Sequence, residues 1–234
     1  AKQYNNKSVA EQHSVDLGWD LLMQERFEDL RLCIYCNREE KKRFRQLVVN
    51  SVMATDIVDK DLRQLRNDRW DKAFHCSQQA AEDNSSPGMV DVNRKATIVI
   101  EHIIQASDVA HCMQHWHVYC KWNERLYQEM MIAWCCGRAG KDPTEGWFSG
   151  EIWFFDNYII PLAKKLEECG VFGVSSDEYL NYALENRREW EMKGRDVCKS
   201  MLSNFKDQYP HIWSQYEARL AVAAAVAAAD ENKE

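Results

Sequence analysis

Turn-forming residues are scarce in this chain, and this scarcity constrains its fold more than any other feature. The 234 residues include only four prolines and nine glycines. A β-sandwich needs a turn signal about every 8–12 residues, so the composition argues against a sandwich or a barrel. Apolar residues instead recur three and four positions apart along most of the chain, which is the spacing of amphipathic helices. The sequence therefore predicts an all-α protein.

Charge and cysteine content restrict the partners and the compartment. The chain has 30 basic and 37 acidic residues, and its net charge of -7 leaves no broad basic face for nucleic acid. The sequence has no apolar run of about 20 residues that could span a membrane, and its first residues lack a signal-peptide pattern. Nine cysteines without the spacing of a disulfide scaffold are expected to be reduced. We expect a cytoplasmic protein, or a cytosolic domain of a larger one, that could join an oligomer or a larger assembly.

Periodic apolar positions predict most of the helices. A first helix is expected over about residues 8–30, opened by a capping box in which Ser8 caps the helix and Glu11 follows three positions later. The segment 95–136 is predicted to form one long helix or two. Further helices are expected over three segments, at residues 151–169, 176–209 and 211–229.

Two features divide the chain. Residues 137–150 (GRAGKDPTEGWFSG) contain four of the nine glycines, so they predict a loop that is a candidate flap beside a site. The tract LAVAAAVAAA near the end has high helix propensity and is too short to cross a bilayer. We therefore expect a main body over residues 1–209 and a terminal alanine-rich helix with an acidic tail over residues 210–234.

Two clusters of residues are candidates for chemistry. Asp108, His111 and His115 are spaced so that one helix would place them along a single ridge, which is a candidate metal face. The alternative is that these histidines make structural hydrogen bonds. Glu151 and Phe154 begin a second cluster, with helical spacing, that is equally typical of a buried aromatic stripe. From the spacing alone, the structural alternative is favoured for both clusters.

Five short segments resemble motifs of the class I cyclic-nucleotide phosphodiesterases, and they occur in that family's order. They are Tyr4–His13 (YNNKSVAEQH), Met53–Asp56 (MATD), Ala106–His111 (ASDVAH), Lys121-Trp122 and Gly150–Leu162 (GEIWFFDNYIIPL). The resemblance implies the all-α catalytic domain of that family, within the HD superfamily. It also implies a pocket that binds Zn²⁺ and Mg²⁺ (or Mn²⁺). Such a domain hydrolyses cyclic AMP or cyclic GMP to the 5′-nucleotide with a hydroxide held between the two metals.

The resemblance also implies roles for individual residues. Asp108 corresponds to the carboxylate that ligates zinc and bridges to the second metal. Glu11 and Thr55 correspond to residues that hold water molecules around magnesium. Four residues correspond to the part of the pocket that receives the base: Glu151 in place of the purine-reading glutamine, Phe154 and Leu126 as apolar walls, and His111 in place of an asparagine.

The family's remaining motifs lie upstream of the segment that begins at Tyr4. They include the general-acid histidine and a histidine-aspartate pair that binds zinc, and the chain starts three residues before Tyr4. We therefore expect an N-terminally incomplete catalytic domain whose general acid is not in this chain. The alternative is a non-catalytic helical subunit or scaffold that keeps the phosphodiesterase fold within a larger assembly.

Glu151 predicts a base preference. An amide can offer either a donor or an acceptor, whereas an ionised carboxylate only accepts hydrogen bonds. Guanine presents two adjacent N–H donors, while adenine presents one donor beside a ring acceptor. The carboxylate is therefore expected to favour cyclic GMP over cyclic AMP.

Overall fold

Helices make up all the regular structure in the part of the chain that the computed structural model describes, namely residues 2–75, 89–170, 172–175 and 177–231. This confirms the predicted all-α class. None of the described helices combines the length and the apolar character that a membrane span requires. The helices are α1 (Val9–Leu22), α2 (Glu28–Ile34), α3 (Arg38–Ala54), α4 (Lys60–Phe74), α5 (Met89–Asp108), α6 (Trp116–Cys135), α7 (Trp147–Phe154), α8 (Ile160–Glu168), α9 (Glu178–Gln208) and α10 (Pro210–Glu231).

The chain forms two compact units. Unit 1 comprises Ala1–Val109 and Glu168–Val171, and unit 2 comprises Ala110–Glu167 and Phe172–Glu234. Unit 1 therefore contains α1 to α5, and unit 2 contains α6, α7, most of α8, and α9 and α10.

In unit 1, α3 packs against α1 and α5, and α4 packs against α5. The apolar centre consists of Trp70, Ala73 and Ile98, with Phe74 packed against it. The Trp70 ring stacks on Phe74 with 4.2 Å between centroids, and it meets His102 of α5 at 4.4 Å. A single tryptophan therefore joins α4 to α5.

The predicted first helix is interrupted. The α1 helix ends at Leu22, Gln24 adopts an extended conformation, and α2 begins only at Glu28. The predicted capping box is also wrong, because the Ser8 side chain makes no bond to the start of α1. Its hydroxyl donates instead to Asp56 Oδ2 at 2.6 Å. Ser8 has a φ of 42°, so a contact distant in sequence holds a left-handed backbone here.

In unit 2, the long helix α9 packs against α6, α7 and α10. The buried Trp190 of α9 donates its indole N–H to the Phe148 carbonyl of α7 at 3.0 Å. Gly194 is required one turn later, because a Cβ there would lie 2.8 Å from the Trp190 ring. The predicted helices over 176–209 and 211–229 agree closely with α9 and α10.

The glycine-rich break is shorter than predicted. The α7 helix begins at Trp147, so the last four residues of the predicted loop are helical. The preceding loop is anchored by the buried carboxylate of Asp142. That side chain accepts from the Thr144 backbone N–H at 2.8 Å and from the Tyr216 hydroxyl of α10 at 3.2 Å.

Candidate functional site

The predicted ridge of Asp108, His111 and His115 is wrong, because these residues do not share a helix. The α5 helix ends at Asp108, His111 lies in a 3-10 turn over Ala110–Met113, and His115 precedes the first residue of α6. Between His111 and His115, a tertiary contact within unit 2 stabilises the non-helical backbone. The buried Asn186 side chain donates to the backbone carbonyls at residues 112 and 114, at 3.0 Å and 2.7 Å. These carbonyls are therefore partnered by α9.

Asp108 is the residue predicted to ligate metal, and its side chain is exposed at the end of α5. Within the described ranges, no three His, Cys, Asp or Glu side chains lie close enough together to hold a metal ion. A catalytic zinc site normally has three protein ligands. The described residues therefore do not form a complete site for the implied Zn²⁺ and Mg²⁺ pair, and the role of Asp108 as a ligand stays a prediction.

Glu11 and Thr55, the predicted partners of metal-bound water, both lie in unit 1. Glu11 is in the first turn of α1, and Thr55 directly follows α3, where its hydroxyl donates to the Val52 carbonyl at 2.8 Å. The Ser8–Asp56 hydrogen bond joins the segments that carry these two residues, because each partner lies close to one of them in sequence.

Asp56 is a buried residue for which the sequence motifs indicated no role. One of its carboxylate oxygens accepts from the Val58 and Asp59 backbone N–H groups at 2.9 Å and 3.1 Å. The Arg66 guanidinium donates to the Asp56 carbonyl at 3.0 Å. Burial alone would raise the pKa of Asp56, but the hydrogen bonds from Ser8 and the backbone, together with Arg66, lower it below its usual value. The aspartate of the MATD motif is therefore an ionised structural anchor.

Glu151, the predicted base-reading residue, lies on α7 in unit 2 and is half-buried. Its Oε2 atom accepts from the Tyr119 hydroxyl of α6 at 2.7 Å. Burial raises the pKa of Glu151, and hydrogen bonding from Tyr119 and Asn123 only partly opposes that effect. This carboxyl is therefore easier to protonate than an exposed glutamate.

A chain of hydrogen bonds runs from Trp147 through Asn123 and Tyr119 to Glu151. The Trp147 indole N–H donates to Asn123 Oδ1 at 3.1 Å, and Asn123 Nδ2 donates to the Tyr119 hydroxyl oxygen at 3.5 Å. An indole nitrogen can only donate, so the Asn123 atom that faces it must be the oxygen. The amide is thereby oriented so that the Tyr119 hydrogen points to Glu151. We call Trp147, Asn123 and Tyr119 the donor relay.

The sequence pattern did not identify any of the three residues of the donor relay. Tyr119 and Asn123 lie four residues apart on α6, and both are buried. A polar asparagine on the buried face of an aromatic-rich helix was the available signal, because a buried amide needs hydrogen-bond partners. Its partner Trp147 lies on another helix, which the periodicity of α6 does not identify.

The other predicted base-binding residues also lie in unit 2. Phe154 stacks on Tyr158 with 5.3 Å between ring centroids, and Leu126 is exposed on α6. His111 lies 6.4 Å from the exposed Trp122 ring, and burial lowers the pKa of His111. An apolar side chain, an aromatic ring and a neutral imidazole are suited to a nucleotide base, which has a flat face and a polar edge.

Comparison with known proteins identifies the family. The family model described as 3'5'-cyclic nucleotide phosphodiesterase matches residues 1–170. This chain belongs to the cyclic-nucleotide phosphodiesterase family. The matched residues include Asp108, Glu11, Thr55, Leu126, Phe154 and Glu151.

Curated relatives match a smaller part of this chain. The dual specificity calcium/calmodulin-dependent 3',5'-cyclic nucleotide phosphodiesterase 1C of Homo sapiens is 27% identical over 126 residues, which is 54% of this chain and 15% of the relative. The probable 3',5'-cyclic phosphodiesterase pde-1 of Caenorhabditis elegans is 25% identical over 131 residues, which is 55% of this chain and 16% of the relative. The chain therefore matches a minor part of each relative's length.

Solved structures share the fold. The phosphodiesterase domain of Salpingoeca rosetta rhodopsin phosphodiesterase is similar with a TM-score of 0.58 and 18% sequence identity. The similarity covers 87% of this chain and 60% of that domain. The helical arrangement is therefore that of a phosphodiesterase domain.

Proposed function

We propose that this chain supplies the base-binding part of an enzyme that hydrolyses 3′,5′-cyclic nucleotides to 5′-nucleotides. Family membership gives the reaction class. One observation supports the assignment to base binding, namely that Glu151 is held by a 2.7 Å hydrogen bond from Tyr119 at the position where the family motif has its purine-reading residue. A side chain must be held in this way to distinguish bases, because a freely rotating group would adapt to either one.

The proposed base preference is for cyclic GMP over cyclic AMP. Tyr119 donates to Glu151 Oε2 and Asn123 is a second donor to this carboxyl group, whose two oxygens have four acceptor positions in total. Guanine offers two adjacent N–H groups to those acceptors. Adenine would direct its ring lone pair at the ionised carboxylate, and an unmatched buried polar group costs about 1–3 kcal/mol.

Asp108 is the carboxylate that the chain is proposed to offer to Zn²⁺ and Mg²⁺ (or Mn²⁺). The other ligands, and the general acid, would come from the rest of the catalytic domain or assembly. The described residues do not complete that site. The base-binding proposal therefore rests on unit 2 alone.

Isothermal titration of the chain with each nucleotide tests the proposal. We expect tighter binding of cyclic GMP, by about 5–150-fold, and a smaller ratio in Glu151→Gln, because a difference of 1–3 kcal/mol corresponds to that range. Glu145→Gln is the matched control, because this exposed carboxylate lies in the loop before α7. Tighter binding of cyclic AMP by the native chain, or an unchanged ratio in Glu151→Gln, would show that the carboxylate does not read the base.

The alternative function is that of a non-catalytic helical subunit. Metal analysis and turnover assays on the purified chain distinguish the two functions. Stoichiometric metal together with hydrolysis of a cyclic nucleotide would support the enzyme. A stable chain without metal and without turnover would support the subunit.

A further inference from the structure

The donor relay has a direction, and that direction determines where Glu151 can carry a proton. Each hydrogen bond in the relay has its donor on the Trp147 side, and the last donor is the Tyr119 hydroxyl. Glu151 Oε2 accepts from Tyr119, the last donor of the relay. A proton on the other oxygen, Oε1, leaves that hydrogen bond intact, so Oε1 is the oxygen that we expect to carry it.

The two protonation states of Glu151 offer a purine different patterns of hydrogen-bond donors and acceptors. The ionised carboxylate presents two acceptors, which match the two adjacent N–H groups of guanine. The protonated acid presents a donor at Oε1 beside an acceptor at Oε2. This second pattern matches adenine, whose ring nitrogen accepts and whose amino group donates.

We propose that the donor relay makes Glu151 a proton-controlled selector, which favours the guanine nucleotide when Glu151 is ionised and admits the adenine nucleotide when Oε1 carries a proton. This inference rests on the proposed function, since it requires the base to contact Glu151. The proton comes from solvent, and no covalent bond to the nucleotide changes.

Other ionisable groups lie near Glu151 or belong to the proposed base site. Cys112 of the 3-10 turn and Tyr119 of α6 have pKa values well above their usual ranges, because both are buried and lie near Glu151. Burial raises the pKa of Cys198 on α9 to about 11. Arg195 of α9 covers the Phe148 ring of α7. Burial lowers the pKa of His111, and the Glu151→Gln variant keeps this imidazole, so a comparison of that variant with the native chain separates the two groups.

The first experiment measures the affinities of the native chain for cyclic GMP and cyclic AMP between about pH 4.5 and pH 8.5, a range above and around the ordinary pKa of glutamate. We expect the cyclic GMP to cyclic AMP ratio to fall at least about fivefold as the pH decreases, in line with the loss of one mismatch of about 1 kcal/mol. Glu151→Gln should lose most of this pH dependence. A constant ratio in the native chain, or the same pH dependence in Glu151→Gln as in the native chain, would overturn the inference.

The second experiment tests the relay without any nucleotide. Carboxyl carbon NMR of the labelled chain gives the pH midpoint of Glu151 directly. Tyr119→Phe should raise this midpoint, because the carboxylate loses its donor, and Trp147→Phe should raise it by less, because Tyr119 remains but is no longer oriented. Trp153→Phe is the matched control on the same helix, since Trp153 is 57% exposed and lies outside the relay. An unchanged midpoint in Tyr119→Phe would overturn the role of the relay.

The two proposals fail in different ways. If Glu151→Gln alters neither affinity, the base-binding role is wrong, and the selector is wrong with it. If binding depends on Glu151 but the ratio is independent of pH, only the selector is wrong.

Discussion

The two units differ in the kind of side chain that they bury. Unit 2 encloses large aromatic and aliphatic groups, and those that are almost completely buried are Met113, Tyr119, Tyr127, Met131, Phe155, Ile159, Leu166, Trp190, Met201 and Phe205. The described part of unit 1 has Trp70 and Ile98 as its large, fully buried apolar groups. It also buries charged and polar groups, namely Asp56, Arg66, Glu101, His102 and Gln105, whereas the buried polar groups of unit 2 are Asn123, Asp142 and Asn186.

This difference indicates that the units are stabilised by different forces. Apolar burial stabilises in proportion to area and without direction, whereas a buried charge stabilises only while its partner stays in place. Unit 1 also exposes leucines that helix periodicity would assign to a core, including Leu17, Leu21, Leu30, Leu32 and Leu65. We expect unit 2 to respond most to loss of volume and unit 1 to loss of a polar partner.

Trp190→Ala is expected to have the largest effect, because it removes a fully buried ring from the centre of unit 2. The indole contacts Tyr119 with 5.7 Å between centroids and also donates to Phe148. The free energy of unfolding should fall by about 3–5 kcal/mol in urea denaturation. Trp153→Ala, at an exposed tryptophan, should change it by less than about 0.5 kcal/mol. Equal effects of the two variants would contradict the view that unit 2 depends on packing.

Arg69→Met should have the next largest effect, and it tests unit 1. The Arg69 guanidinium donates to both oxygens of the buried Glu101, at 3.0 Å and 3.1 Å. Loss of the partner leaves a buried carboxylate, at a cost of about 3 kcal/mol, near the low end for buried pairs because Arg69 is partly exposed. Arg63→Met, at an exposed arginine of the same helix, is the control for urea denaturation. The double variant Arg69→Met, Glu101→Leu should be more stable than Arg69→Met, and the reverse order would exclude an uncompensated charge as the cause.

Ser8→Ala should have a smaller effect, of about 1–3 kcal/mol, because it removes a hydrogen bond to the ionised Asp56. The backbone conformation is equally strained for serine and alanine, so thermal or urea denaturation reports the hydroxyl alone. Ser14→Ala on the exposed face of α1 is the control. Ser8→Gly should destabilise less than Ser8→Ala, because glycine adopts a positive φ without strain. If Ser8→Ala and Ser14→Ala prove equally stable, Asp56 does not need this donor.

Glu101→Gln should have the smallest effect at any one pH and a clear effect on the pH dependence. Burial raises the pKa of Glu101 despite Arg69, so the folded chain binds this proton more tightly than the unfolded chain does. Stability contributed by that proton is present below the unfolded pKa and is lost as the pH rises through the folded pKa. The unfolding free energy of the native chain should therefore fall relative to that of Glu101→Gln as the pH rises above about 4.5. Glu39→Gln, at an exposed carboxylate, should show no such trend.

Local patterns predicted the helical class and several elements well. The predicted helix over 176–209 is observed as Glu178–Gln208, because a long amphipathic repeat bounded by polar residues is a strong local signal. The short motifs also predicted site residues along the chain, and these roles stay predictions. Asp108, Thr55 and Glu151 were found as motif members, without any information about what each contacts.

The errors share one cause. Ser8 was predicted to cap α1, but its hydroxyl donates to Asp56, which lies 48 residues away. Asp108, His111 and His115 were placed on one ridge, but Asn186 partners the carbonyls between them. In each case a buried hydrogen bond from a distant residue replaced the local one that the sequence pattern favoured.

The sequence alone predicted that the chain is helical and that it resembles phosphodiesterases, and it predicted a carboxylate at the position of the family's base-reading amide. These properties follow from spacing, composition and residue identity, which are local. The direction of the hydrogen bonds that reach Glu151 depends on Trp147, Asn123 and Tyr119, and it became visible only once α6 and α7 were packed together. Only the tertiary structure determines this direction, because a hydrogen bond forms between groups that are close in space. The periodicity of one helix carries no information about the side chains of the neighbouring helix.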